Sequence, residues 1–341
     1  MIKKILFVGL QYSYGKKTLG ESLNKRAHFD TLKALGYQVE NLWLDSFDSN
    51  EDLQKEILIK SKNYDPDMIF FKIFKFEIQF RTLIELRKKY FLINWFGDDH
   101  WRFKGFTSKY ANFFDVCITT DKYSVEKYQE IGQKNIIRSQ HASFESSTCY
   151  QNVTYKRDVS FVGGENSFRK WFVNKLNKKG VKVHCFGKGW SNGRVTYEEM
   201  EGIFVTSKIN LNISNSVNYD MRYLISSPRA ILNTMKTAVA GEGKNSSQIK
   251  ARNFEIPTQG GFELTEYVPS LEDYFNIGKN IACYNSVDEA ALLIKYYLNN
   301  NVEREKIKIK SVEYSRKNHL YKNRMAEIMQ GVEIFYRDAK K

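Results

Sequence analysis

Short runs of apolar residues punctuate the first 140 or so positions of this chain, and between them apolar positions recur at three- and four-residue intervals. Ile5 to Val8, Gln38 to Leu44, Met68 to Ile73, Phe91 to Phe96, Val116 to Thr119 and Ile136 to Arg138 read as strands. Ser22 to Leu35, Glu51 to Lys62, Phe76 to Lys89 and Ser124 to Ile131 read as helices, the first stopped by Gly36. Strands alternating with helices of about 10 to 15 residues predict an α/β unit with a parallel sheet and helices on both faces.

Residues 145 to 157 are polar and lack either period, which suits a linker. A second series then begins. Val159 to Gly164 reads as a strand closed by glycines, followed by a helix from Phe168 to Lys178 and a strand from Lys182 to Phe186. A helix from Tyr197 to Thr206, a strand from Ile209 to Ile213, a strand after Gly260-Gly261 and another from Ile281 to Tyr284 continue the pattern. Three helices end it, Ser286 to Asn299, Val302 to Lys317 and Tyr321 to Ala339. The expected organisation is a Rossmann-like domain at 1–150, a second at 151–320, and a helix at 321–341 packing back on the first. Two such domains would face each other across a cleft, with ligands at the carboxyl ends of the strands. Ser214 to Ser247 interrupts the second series. It carries Tyr219-Asp220-Met221-Arg222-Tyr223 and a helix from Pro228 to Val239, and it reads as a lid or binding loop against the alternative of an idle surface excursion.

Composition narrows this picture without redirecting it. With 42% hydrophobic and 15% aromatic residues the chain is globular, and no stretch approaches the roughly 20 apolar residues of a membrane span. The apolar run at the N-terminus is too short for a signal peptide and reads as the first strand. Cys117, Cys149, Cys185 and Cys283 stand far apart with no C-x-x-C pair, which predicts neither a zinc site nor a disulfide framework and fits a reducing cytoplasm. A formal net charge of +14 asks for an acidic partner. The expectation is phosphate-bearing substrates and peripheral contact with an anionic membrane at its inner face, with no nucleic acid as partner, because lysine is spread along the chain.

The stretch Arg252-Asn253-Phe254-Glu255-Ile256-Pro257-Thr258-Gln259-Gly260-Gly261 holds the most pointed chemistry. A carboxylate one turn before a glycine pair sits at the rim of a sheet, where it accepts hydrogen bonds from ribose or hexose hydroxyls while the glycines admit a ligand to the backbone. The rival reading is a buried ion pair of Glu255 with Arg252. Gly163 and Gly164 followed by Arg169, and Gly187-Lys188-Gly189, suit a diphosphate bound by N–H groups and cations; solvated surface charge is the alternative for Arg169 and Lys188. Trp190 reads either as a neighbour of a nucleotide base or as sheet-edge core. In the first half, Asp98, Asp99 and His100 close an apolar strand, so Asp98 or Asp99 is placed to deprotonate an acceptor hydroxyl, with helix capping as the alternative. His141 follows a strand near the linker and is a candidate for the same chemistry or a structural histidine. Tyr12, Ser13, Tyr14 and Gly15 read as a flexible cleft loop. Gly9 to Thr18 imitates a P-loop, but Lys17 occupies the Ser/Thr position that would hold magnesium. No metal is expected. The aromatic run from Phe70 to Phe80 reads as buried strand and helix face.

Together, Val159 to Gly164, Arg169, Phe186 to Trp190, Ser207 to Ile213, Arg252 to Gly261 and Leu271 to Phe275 resemble the C-terminal half of glycosyltransferase group 1 proteins related to the spore maturation protein CgeB. The resemblance is clear over about 156 to 330 and weaker before it, where Asn94 to Asp99 and the His141 segment are similar. It implies a GT-B fold, with a nucleotide-sugar donor on the C-terminal domain through Arg252, Asn253, Glu255, Gly260, Gly261 and the glycine turns, and an acceptor on the N-terminal one. It implies no cofactor beyond a nucleotide-sugar co-substrate, a UDP-sugar ahead of a GDP-sugar, and a glycan, lipid-linked or protein acceptor in bacterial cell-surface polysaccharide synthesis. Glu255 then matches the second glutamate of the E-x7-E element, the ribose ligand, and Ser247 stands where the first would be. Glu263, at the same spacing after Glu255, becomes a bystander. The missing glutamate also supports an alternative, a non-catalytic nucleotide- or glycan-binding protein of the same fold.

Overall fold

A computed structural model describes residues 1–213, 220–239 and 247–341. Residues 214–219, including Tyr219, and 240–246 of the excursion expected to form a lid lie outside the described residues. Its helix Pro228–Val239 is present.

The chain folds as two α/β units, one formed by Met1–Gln140 with Tyr321–Lys341 and the other by His141–Leu320. The first carries six strands, β1 Lys4–Gly9, β2 Gln38–Trp43, β3 Met68–Phe71, β4 Phe91–Phe96, β5 Val116–Thr119 and β6 Ile136–Arg138. They run parallel in the order β2-β1-β3-β4-β5-β6. β3, β4 and β5 are buried at every position, as continuous apolar runs covered on both faces should be. The helix Tyr321–Ala339 belongs to this unit, and its Met325, Ile328, Met329, Val332 and Tyr336 pack with Phe7, Phe70, Phe91, Ile93 and Val116 in one core cluster.

The second unit carries β7 Arg157–Val162, β8 His184–Phe186, β9 Ser207–Asn212, β10 Glu263–Glu266 and β11 Ala282–Tyr284, all parallel, in the order β11-β10-β9-β7-β8. Its helices begin on side-chain caps. Asn166 accepts from the Arg169 N–H, Thr196 and Glu199 form a reciprocal capping box, and Ser286 accepts from the Glu289 N–H. The polar stretch before β7 is held to this unit, with Ser146 and Thr148 hydrogen-bonded to Glu201, and Tyr155 to Glu305 and Lys308. The division therefore falls at Gln140 and His141, ahead of the boundary at 150 suggested by polarity alone.

Two expectations differ from the structure. The single helix read over 22–35 opens instead with a π-helical turn, Asn24–Phe29, before Asp30–Ala34. The wider turn seats the buried His28 ring 4.6 Å from Trp95 and Phe29 5.2 Å from Trp43. The aromatic run is also only partly buried: Phe70 and Phe71 are core, whereas Phe76 and Phe80 are 54% and 41% exposed.

Candidate functional site

In each sheet the strand order reverses once, between β1 and β3 in the first unit and between β7 and β9 in the second. The carboxyl ends of the strands at such a reversal form a natural crevice for ligands.

At the second reversal, two arginines from different helices converge. Arg169, from the helix Ser167–Lys178, donates from Nη1 to the Gly164 carbonyl at 2.9 Å and from Nη2 to the Ile213 carbonyl at 2.8 Å, bridging the ends of β7 and β9. Arg252 donates from Nε to the Val162 carbonyl at 3.2 Å and from Nη1 to Glu255. Burial, and after it the nearby charge of Arg252, lowers the Arg169 guanidinium to about 10. Two cations so close, each holding carbonyl oxygens, leave positive charge at the strand ends. Glu255 is buried and ion-paired with Arg252 one helical turn away, as the structural alternative anticipated. Its second oxygen carries no hydrogen bond among the described residues.

The glycine turns are built around this point. The Gly163 N–H donates to the Phe186 carbonyl at 2.8 Å, and a Cβ on Gly187, whose φ is +131°, would lie 2.3 Å from the Gly163 oxygen. Trp190 donates from its indole N–H to the same Gly163 oxygen at 2.9 Å and packs edge-on to Phe161 at 6.2 Å, so it braces the turns as part of the core. Lys188 has an exposed side chain, and its carbonyl accepts from the Glu165 N–H. The pair Gly260-Gly261 serves packing: a Cβ on Gly260 would meet Tyr150 at 2.8 Å, and one on Gly261 would meet Asn210 Nδ2 at 2.6 Å. The close approach these glycines permit is to the protein itself, where the sequence reading expected a ligand.

Asn253 is likewise turned inward, donating to Glu263 Oε1 and Thr265 Oγ1, both at 3.0 Å. Glu263, set aside as a ligand-binding residue, has a structural role. It also accepts from Asn212 at 2.9 Å, and burial pushes its carboxyl up to about 8. Ser160, Asn210, Asn212, Glu263, Thr265 and Asn253 thus make a buried polar layer that holds the helix Arg252–Thr258 on the sheet. Glu266, at the carboxyl end of β10, was not singled out from the sequence; its Oε1 accepts from the Ser247 hydroxyl at 3.0 Å. A carboxylate therefore stands in contact with the position where the E-x7-E register lacks one. Spacing gave no sign of it, because the two residues meet only through the fold.

At the first reversal, the Tyr12 to Gly15 loop is pinned: Asp45 accepts from the Gln11 and Tyr12 N–H groups, each at 2.8 Å, and Ser13 N–H donates to the Gly20 carbonyl at 3.0 Å. Asp45 occupies the N–H groups that a phosphate would need in a P-loop. Asp99 is buried and accepts from Thr107, Thr119 and Tyr128 at 2.7, 2.5 and 2.8 Å, while burial pushes its carboxyl up to about 6. It is a tie between the chain segments around it, whereas its neighbour Asp98 is partly exposed. Lys72, missed in the sequence, directly follows β3. Its Nζ donates to the Trp95 carbonyl at 3.1 Å, and burial lowers its ammonium to about 7 against the pull of Asp98 and then Asp99. A Cβ on Gly97 would sit 3.1 Å from that nitrogen. His141 opens the second unit and is partly buried. Among the described residues no group of three or more His, Cys, Asp or Glu is arranged to hold a metal.

With this geometry in hand, the chain can be set against known proteins. The cyanobacterial sucrose-phosphate synthase of Thermosynechococcus elongatus superposes over 98% of this chain and 100% of its own, with a TM-score of 0.65 at 8% identity. The fold is GT-B. Another solved GT-B structure, Anabaena HepE in complex with UDP-glucose, matches over 97% of this chain and 99% of its own, with a TM-score of 0.61 at 10% identity. The pneumococcal O-GlcNAc transferase GtfA, in complex with UDP and GlcNAc, matches over 82% of this chain and 59% of its own, with a TM-score of 0.56 at 11% identity. Residues 169–330 match a family model described as glycosyl transferase-like. No curated protein matches the sequence.

Proposed function

We propose that the protein transfers a sugar from a nucleotide-diphosphate donor, a UDP-sugar ahead of a GDP-sugar, to a glycan, lipid-linked or protein acceptor. The observation that carries this reading is the convergence of Arg169, Arg252 and Glu255 at the strand reversal of a glycosyl transferase-like domain. The second unit takes the donor. Arg169, Arg252 and the Gly164 N–H receive the diphosphate, whose growing negative charge they stabilise as the bond to the anomeric carbon breaks. Glu255 accepts hydrogen bonds from the ribose hydroxyls, with Arg252 orienting its carboxylate.

The first unit takes the acceptor. The acceptor oxygen attacks the anomeric carbon, the nucleoside diphosphate leaves with the bonding electrons, and the hydroxyl proton passes to Asp98. Lys72, whose ammonium burial lowers to about 7, carries less opposing charge at that edge than an ordinary lysine would. His141 is the second candidate for this step. The CgeB-like subtype and a place in bacterial cell-surface polysaccharide synthesis fit the motifs in the second half. Cations and N–H groups suffice for the diphosphate in this scheme.

The test is nucleotide release from UDP-, GDP-, CMP- and TDP-sugars, alone and with candidate acceptors. Release with one donor class supports transfer. Tight binding of a donor without release, whatever the acceptor, would move the protein to the rival class, a nucleotide- or glycan-binding protein.

A further inference from the structure

On the first unit, the segment after β3 carries two apolar stripes. Ile78, Leu83 and Leu86 point into the core, while Phe76, in the bend before the helix Phe80–Arg87, and Phe80 and Ile84, one turn apart on it, are 54%, 41% and 52% exposed. The outward rings are held in place. Phe80 lies flat on Phe113 at 4.9 Å and 10°, and Phe76 meets Phe106 edge-on at 5.2 Å. Around the strip stand Lys75, Arg81, Lys104 and Lys109, all exposed. Lys109 Nζ sits 5.5 Å above the Phe76 ring. Among the described residues none of these four has a carboxylate within ion-pair distance, whereas Lys88 and Arg87 farther along are paired with Glu85 and Asp115.

We propose that this strip is a docking face for an anionic lipid bilayer: Phe76, Phe80 and Ile84 enter the boundary between headgroups and acyl chains, and the four cations meet acidic headgroups. A rigid apolar strip rimmed by uncompensated cations is matched by a surface with apolar depth and negative charge. Aromatic rings favour that boundary, and lysine and arginine stems lie along apolar surface while their charges reach outward. A sugar chain fits less well. The amides beside the strip that would read hydroxyls are already used: Asn50 and Gln54 both donate to the Glu77 carbonyl, at 2.7 and 2.8 Å, and Gln79 donates to Asn50 at 2.8 Å. Single-stranded nucleic acid needs open ring faces, and Phe113 covers one face of Phe80. The inference does not depend on the transferase reading.

The experiment is sedimentation of the full chain with vesicles of 70% phosphatidylcholine and 30% phosphatidylglycerol, and with pure phosphatidylcholine, at low and high salt. The expected result is binding to the anionic vesicles that weakens with salt, and at least a tenfold loss of partitioning in Phe76→Ser/Phe80→Ser/Ile84→Ser. Lys75→Glu/Lys109→Glu should reduce binding similarly and is the substitute should the first variant fail to fold. A control, Met221→Ser/Ile225→Ser/Leu232→Ser, alters exposed apolar residues of the second unit and should leave binding unchanged. Any of three outcomes overturns the proposal: no binding to anionic vesicles, full binding by both first-unit variants, or loss confined to the second-unit variant. Binding of the chain to an oligonucleotide or a glycan but to neither vesicle overturns it as well.

Discussion

Glu255 shows how a charged side chain can be structural and functional at once. Its pairing with Arg252 settles where the carboxylate points and leaves one oxygen for a ligand. Glu255→Ala should weaken UDP-sugar binding by about 1.5–3 kcal/mol, the size of a lost hydrogen bond to a charged group, or roughly 10- to 150-fold in Kd by calorimetry. An unchanged Kd in the folded variant would remove the ribose assignment. Glu263 leads to a pH effect. Its native carboxyl keeps its proton up to about pH 8, while the unfolded chain releases it near the ordinary 4.5. The folded state therefore binds the extra proton between those values, so this group's contribution to stability is complete below 4.5 and is lost as pH rises to 8. Glu263→Gln, neutral at every pH, should flatten that slope. Melting temperatures of the two proteins should draw apart between pH 5 and pH 8, with the variant gaining on the native chain. Parallel curves would show that burial does not hold the proton.

At the scale of elements, the strands were legible because each obeys local chemistry. An apolar run bounded by polar residues becomes a buried strand. The second unit's glycines and Arg169 stood out together because they lie in short loops after strands and in the first turn of the helix that follows. What spacing did not show was orientation. Phe76 and Phe80 belong to an apolar face, but the segment has two such faces, and periodicity does not say which one the sheet covers. The inward partners of Asn253 and Glu263, Thr265 and Asn212, were not legible because the fold alone brings them together. Gly260-Gly261 looked like an opening for a ligand because the sequence does not reveal Tyr150 and Asn210 pressed against them. Gly261→Ala tests the distinction. Its Cβ would press on Asn210 Nδ2 and on the Phe204 carbonyl, which lies 3.1 Å away, so urea unfolding should show a loss of about 1–3 kcal/mol. A glycine kept only for ligand access would accept alanine with stability intact.

At the scale of the molecule, the first unit is discontinuous in sequence: it consists of Met1–Gln140 and Tyr321–Lys341. Five side chains of the last helix are buried in its core. At about 1.5–3 kcal/mol each, they amount to roughly the whole stability of an ordinary domain. A chain ending at Leu320 should therefore lose protection in β1, β4 and β5 by hydrogen exchange while the second unit keeps its own. Retained protection in the first sheet would show that the helix is an accessory. The same arrangement sets an order of events on the ribosome. The second unit emerges complete while the first still lacks its closing helix, and at about 5–20 residues per second that interval lasts on the order of tens of seconds. For that time the apolar surface of Phe91, Ile93 and Val116 is a half-built wall, and this chain should lean on chaperones at its beginning more than at its middle.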